Sequence, residues 1–210
     1  MDGKSDCILK LLEAESTFAD SPCVLAAMDL MSHLTNTGTG IKDEAFLKDV
    51  CSKLTVQMEN HPLPAVKARA AQAIEDILKH SEDELRWSLL KELVYLPQSD
   101  IAALMVQHLR ASVVKAWNAS AFESVFASVE VFKLMRSILG NLDRTSEITE
   151  KAELYSAVLN LCLFLIVRDS KRETKISGAV LPEALEFMNC TLNDMNCEIQ
   201  EGLKADNENL

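Results

Sequence analysis

The chain has 210 residues, 48% of them apolar, and a formal net charge of -11. That length buries a sizeable core, that apolar fraction excludes a disordered chain, and that charge repels nucleic acid and anionic lipid. Aromatics make up 5%, Gly and Pro are few, and Leu, Ala, Glu and Lys abound, a composition that favours helix.

The first helix is expected over 5–15, with Ile8, Leu11 and Leu12 on one face. Ser21 before Pro22 is an N-cap followed by Pro at the first helical position. It opens a helix over 22–34 with Val24, Leu25, Met28, Leu30 and Met31 apolar, and T-N-T-G-T-G at 35–40 breaks the chain. Residues 43–60 set Phe46, Leu47, Val50, Leu54 and Met58 along one stripe. Pro62 and Pro64 then turn the chain into 64–78, P-A-V-K-A-R-A-A-Q-A-I-E-D-I-L. Its order of Val66, Ala70, Ala73-Ile74 and Ile77-Leu78 resembles the second helix of a HEAT repeat. An Ala-rich amphipathic helix of any bundle reads the same way.

Ser81 and Glu84 form a capping-box pair that predicts a helix over 82–95. Helices are expected next over 99–117, with Ile101, Leu104, Met105, Leu109 and Val113 in phase, and over 122–139, closed by Gly140. The stretch 155–169 is Y-S-A-V-L-N-L-C-L-F-L-I-V-R-D, and from Ala157 to Val167 Asn160 is its one polar residue. A helix apolar all round has no solvent face, and this run is far short of the roughly 20 residues of a bilayer span. It therefore reads as the central helix of a core, with Leu159, Leu161, Leu165 and Val167 buried. After the polar, basic stretch 170–178, Pro182 begins the last helix. There Leu181, Leu185, Met188, Leu192, Met195, Ile199 and Leu203 recur at spacings of three and four. Packing of this stripe on the 155–167 helix is expected, with Leu185, Met188, Leu192 and Met195 facing the core and Glu186 and Glu198 facing solvent. A coiled-coil seam is the alternative.

The six cysteines form no Cys-x-x-Cys pair and read as buried free thiols of a reducing compartment. The start M-D-G-K-S-D carries no signal-peptide pattern, so the cytoplasm, or the nucleus, is the expected compartment. His33, His61, His80 and His108 stand apart from any zinc-ligand spacing. Cys190 and Cys197 share a helical face, which reads as two buried thiols before it reads as a metal or redox pair. The T-G-T-G at 37–40 lacks the strand a phosphate loop needs, and no nucleophile motif occurs. No enzyme, no cofactor and no metal is expected.

The expected fold is all-α: HEAT-like antiparallel helix pairs forming a short α-solenoid, with a closed helical bundle as the alternative. The block Ala157-x-Leu159-Asn160-Leu161, with Phe164 to Asp169, resembles the C-terminal helical repeats of the glomulin family. Arg86-Trp87-Ser88-Leu89 through Leu109-Arg110 is similar to the preceding repeats. The resemblance divides the chain into weakly assigned N-terminal repeats at 1–80, glomulin-like repeats at 81–204 and an acidic tail at 205–210. It implies a non-enzymatic regulator of cullin-RING ubiquitin ligases, which holds the RING subunit and sterically blocks recruitment of the ubiquitin-conjugating enzyme. Family members are several-fold longer, and this chain corresponds to their C-terminal part. The alternative function is a generic helical adaptor or assembly subunit with a partner unrelated to ubiquitin.

In so acidic a chain the basic residues are the natural docking points. Arg86, Lys91 and Arg110 fall where the family's repeats carry basic residues, and Lys171, Arg172 and Lys175 sit in the stretch before the last helix. Trp117 is the expected aromatic anchor, while Trp87 is expected in the core.

Overall fold

The computed structural model describes residues 3–12, 21–36, 43–96, 98–141 and 148–168, together with twelve positions between 185 and 204. Among the described residues the elements run α1 (Gly3–Leu12), α2 (Ser21–Asn36), α3 (Glu44–Asn60), α4 (Pro64–His80), α5 (Asp83–Leu93), α6 (Ser99–Asn118), a 3-10 turn (Val125–Ala127), α7 (Val129–Asn141) and α8 (Ile148–Arg168), with no strand. The protein is all-α over these residues. They fall into two compact units, Met1–Leu93 and Val94–Leu210.

In the first unit the apolar stripes read on α3 and α4 are buried except for the half-buried Met58. Leu11 of α1 and Leu25 of α2 are half-buried, and Leu30 of α2 is 43% exposed. Phe46, Leu47, Val50, Cys51 and Leu54 of α3 and Val66, Ala70, Ala73, Ile74, Ile77 and Leu78 of α4 are all buried. Asp43 caps α3, its carboxylate accepting from the Phe46 amide at 3.1 Å. α1 packs on α2 and α3, α3 on α4 and α5, and α4 on α2 and α5. α1, α3 and α5 thus stand in one row, with α2 and α4 in a second. Small alanines on α4 allow the close approach of neighbouring helices. Gln57 of α3 is buried and its amide donates to the Leu12 carbonyl at 3.1 Å, closing the end of α1.

Three expectations about helix ends are corrected. Ser81 closes α4 rather than opening α5: its hydroxyl donates to the Ile77 carbonyl at 2.6 Å and α5 begins at Asp83. The helix expected over 122–139 starts only at Val129. Serines take over the backbone before it: Ser124 Oγ accepts from the Phe126 amide at 3.4 Å, and Ser128 Oγ accepts from Glu130 at 3.2 Å while donating to Val125 O at 2.7 Å. Gly140 does not end that helix, which runs to Asn141.

The second unit centres on α6 packed against α8, with α7 and the 3-10 turn beside them. Leu154, Val158, Leu161, Cys162 and Leu165 of α8 are buried, and the Cys162 thiol meets the Met135 sulfur of α7 at 3.7 Å. α8 is not apolar-buried all round, however. Leu163 is 59% exposed and Val167, expected in the core, is 63% exposed. Among the described residues α8 has neighbours on part of its circumference only, so an uncharged sequence need not be an enclosed one.

α6 ends in a Schellman motif. The Ala121 amide donates to Ala116 O at 2.9 Å and the Ser120 amide to Trp117 O at 3.1 Å, with Ser120 at φ 53°. Every described residue between 185 and 204 is helical, yet Leu185 and Leu192, expected to face the core, are exposed, as is Ile199. Glu186 is exposed as expected, while Met188, Met195 and Glu198 lie outside the described residues.

Candidate functional site

The expected docking residues separate once they are placed. Arg86 is only 8% exposed and is spent on its own unit. Its Nε donates to the Leu78 carbonyl at 2.6 Å, Nη2 donates to the Ser81 carbonyl, and Nη1 meets Asp83 Oδ1 at 3.0 Å. The last carbonyls of a helix have no partner within it, and a buried guanidinium with a rigid fork of donors satisfies them well. Arg86 is thus the C-terminal cap of α4, supplied by α5, and not a docking residue.

Trp117 is corrected in the same way. It is 8% exposed, meets Phe122 edge-on with ring centroids 5.9 Å apart, and belongs to the core. Its indole Nε1 is buried with no hydrogen-bond partner among the described residues. Trp87, expected in the core, is half-buried. Lys91 is exposed on α5 of the first unit, and Arg110 is exposed on α6 of the second. Lys171, Arg172 and Lys175 lie outside the described residues.

Arg110 lines a cavity. An open groove of about 850 Å³ runs between α6 and α8. One wall is Gln107, Arg110, Ala111 and Val114, spaced so that they share a face of α6. Facing it are Ala152, Glu153, Ser156, Ala157 and Asn160 of α8. Short side chains at Ala111, Ala152, Ser156 and Ala157 leave the space open, and Arg110 and Glu153 put one charge of each sign on opposite walls. Small-molecule sites are mostly enclosed and rich in aromatic and apolar side chains. This groove is open and lined by no aromatic among the described residues, so its shape and polarity suit a segment of polypeptide. At the far end of α8, Arg168 donates to Asn118 Oδ1 at 2.9 Å and lies 6.0 Å from the Phe164 ring centroid, which fixes that end of α8 against the end of α6.

The cysteines divide too. Cys51 and Cys162 are buried, and burial pushes both thiols from 9.0 up to about 12, with the Glu92 charge adding to the effect at Cys51. Cys7, Cys23, Cys190 and Cys197 are exposed, against the expectation of buried thiols throughout. Among the described residues no group of three or more His, Cys, Asp or Glu could hold a metal ion, and no helix is long and apolar enough to cross a membrane. His61 is buried, its Nδ1 accepting from the Leu63 amide at 3.1 Å, which gives it a place in the turn between α3 and α4. Family models, curated proteins and solved structures offer no match to the chain.

Proposed function

We propose that this chain is a non-enzymatic binding module: a short α-solenoid of HEAT-like helix pairs that holds the RING subunit of a cullin-RING ubiquitin ligase. Bound there, it blocks recruitment of the ubiquitin-conjugating enzyme by occlusion, without chemistry of its own. The reading carries over what the resemblance to the glomulin family implies, and the groove between α6 and α8 is the observation that carries it furthest. That groove lies within the stretch that bears the resemblance and presents Arg110 at its rim. The two rows of helices in the first unit support the solenoid reading, since stacked hairpins pack each helix on its next and next-but-one neighbours. The cytoplasm or nucleus, where such ligases work, is the compartment this reading requires.

The test is titration of the purified chain into a reconstituted cullin-RING ubiquitination reaction, beside an Arg110→Glu variant. Arg110 is exposed, so its reversal leaves folding within about 0.5 kcal/mol of wild type. Wild type should inhibit in proportion to its binding to the RING subunit, and Arg110→Glu should do so less. A folded wild type that binds no RING subunit and does not inhibit, at concentrations well above the ligase, removes the ligase reading and leaves a generic adaptor.

A further inference from the structure

The groove between α6 and α8 carries polar groups that the chain itself leaves unused. Arg110 and Glu153 are exposed on opposite walls. Among the described residues neither side chain has an ion pair or hydrogen bond, with the other or with a neighbour. The Gln107 amide is exposed and equally unengaged among the described residues. Asn160 spends one N–H on Ser156 Oγ at 3.4 Å, which leaves its Oδ1 and second N–H open. In the first unit, by contrast, Lys48 and Arg69 are held by Glu92 and Asp29.

These groups define what fits between the walls. A docked helix satisfies its own main chain and seats an apolar face in a hydrophobic groove. Here Val114 is the largest apolar side chain on the walls among the described residues, so a helix gains little. An extended segment instead brings N–H and C=O groups that need partners, and a side-chain amide offers both a donor and an acceptor to match them. Gln107 and Asn160 stand on opposite walls, one for each edge of such a segment. Gln107 to Val114 and Ala152 to Asn160 each span about 10–12 Å, room for about three or four extended residues. Charges of both signs on the walls call for both signs in the segment that lies between them.

We propose that this groove holds an extended polypeptide segment of a partner protein. Its main chain bonds to Gln107 and Asn160, a carboxylate side chain meets Arg110, and a lysine or arginine meets Glu153. The inference rests on the reading of the groove as a binding site, and not on the ligase as its partner.

Panning a random library of peptides about a dozen residues long on the immobilised full chain tests this. Enriched peptides should share an acidic and a basic residue within about four positions. The best of them, synthesised with a fluorescent label, should bind the full chain by anisotropy. Arg110→Glu should raise its dissociation constant at least about tenfold, and exchanging the peptide's acidic residue for lysine should restore binding to that variant. Glu153→Lys should do the same for the basic residue, and Gln107→Ala should weaken binding without changing the charge preference. Rescue by the exchanged peptide separates a lost contact from a lost fold. No enriched peptide, enrichment of amphipathic helical peptides, or a best peptide indifferent to both charge reversals overturns the proposal. A chain that inhibits the ligase while panning fails sinks this inference alone, and one that binds such peptides without inhibiting sinks the ligase reading alone.

Discussion

Removing Arg86 tests whether it caps a helix or docks a partner. The side chain is buried and two of its donors go to main-chain carbonyls, those of Leu78 and Ser81. A hydrogen bond from a charged group contributes about 1.5–3 kcal/mol, and truncation leaves a buried acceptor without a donor. Its third contact, to Asp83, adds little, because that carboxylate is 50% exposed. Arg86→Ala should therefore cost about 3–5 kcal/mol. Arg86→Lys keeps the charge but cannot span two carbonyls with one ammonium, so it should recover about half of that loss. Urea unfolding followed by circular dichroism reads both from the shift in midpoint at unchanged slope. Lys91→Ala, one turn further along α5 and exposed, is the control and should stay within about 0.5 kcal/mol of wild type. A loss below about 1 kcal/mol for Arg86→Ala would refute the capping role and return Arg86 to the docking surface.

Three further outcomes are expected. Ser120→Gly should stabilise the second unit by about 0.5–1 kcal/mol, because Ser120 holds the left-handed position of the α6 cap that glycine occupies without steric cost; an unchanged or lower unfolding midpoint would contradict this. A thiol reagent should label Cys7, Cys23, Cys190 and Cys197 in the native chain and reach Cys51 and Cys162 only on unfolding. The same two thiols give stability a pH dependence of definite sign. The unfolded chain releases their protons near 9 and the folded chain near about 12, so the folded state binds more protons between these values. Their contribution to stability is complete below pH 9 and falls as the pH climbs towards 12. Cys51→Ala should weaken that decline, measured as the urea midpoint against pH, and a slope identical to wild type would count against it.

What the sequence made legible was local periodicity. The stripes of α3 and α4 are buried as their spacing required, apart from the half-buried Met58. The misreadings share a cause, since each depended on which neighbour a helix meets. Leu163 and Val167 look like core residues in a run without charge, but exposure is set by how many helices surround α8. Arg86 and Trp117 look like surface anchors by type, yet one fork of donors was needed at the end of α4 and one ring filled the end of α6. Ser81 suited either helix flanking it, and the free carbonyls of α4 took it. The groove wall Ala152, Glu153, Ser156 gives no signal at all in the sequence, because small and polar residues at helical spacing read as a solvated face until α6 lies alongside.

The two rows of the first unit also bear on how the chain acquires its structure. α1 to α5 pack chiefly on helices one or two places away along the chain. Closing such short loops costs little entropy, and domains dominated by near-neighbour contacts fold in microseconds to milliseconds. Each helix of this unit finds its packing surface soon after it is made, so the unit can condense progressively during synthesis, with few slow long-range searches that would leave its leucines exposed to aggregation.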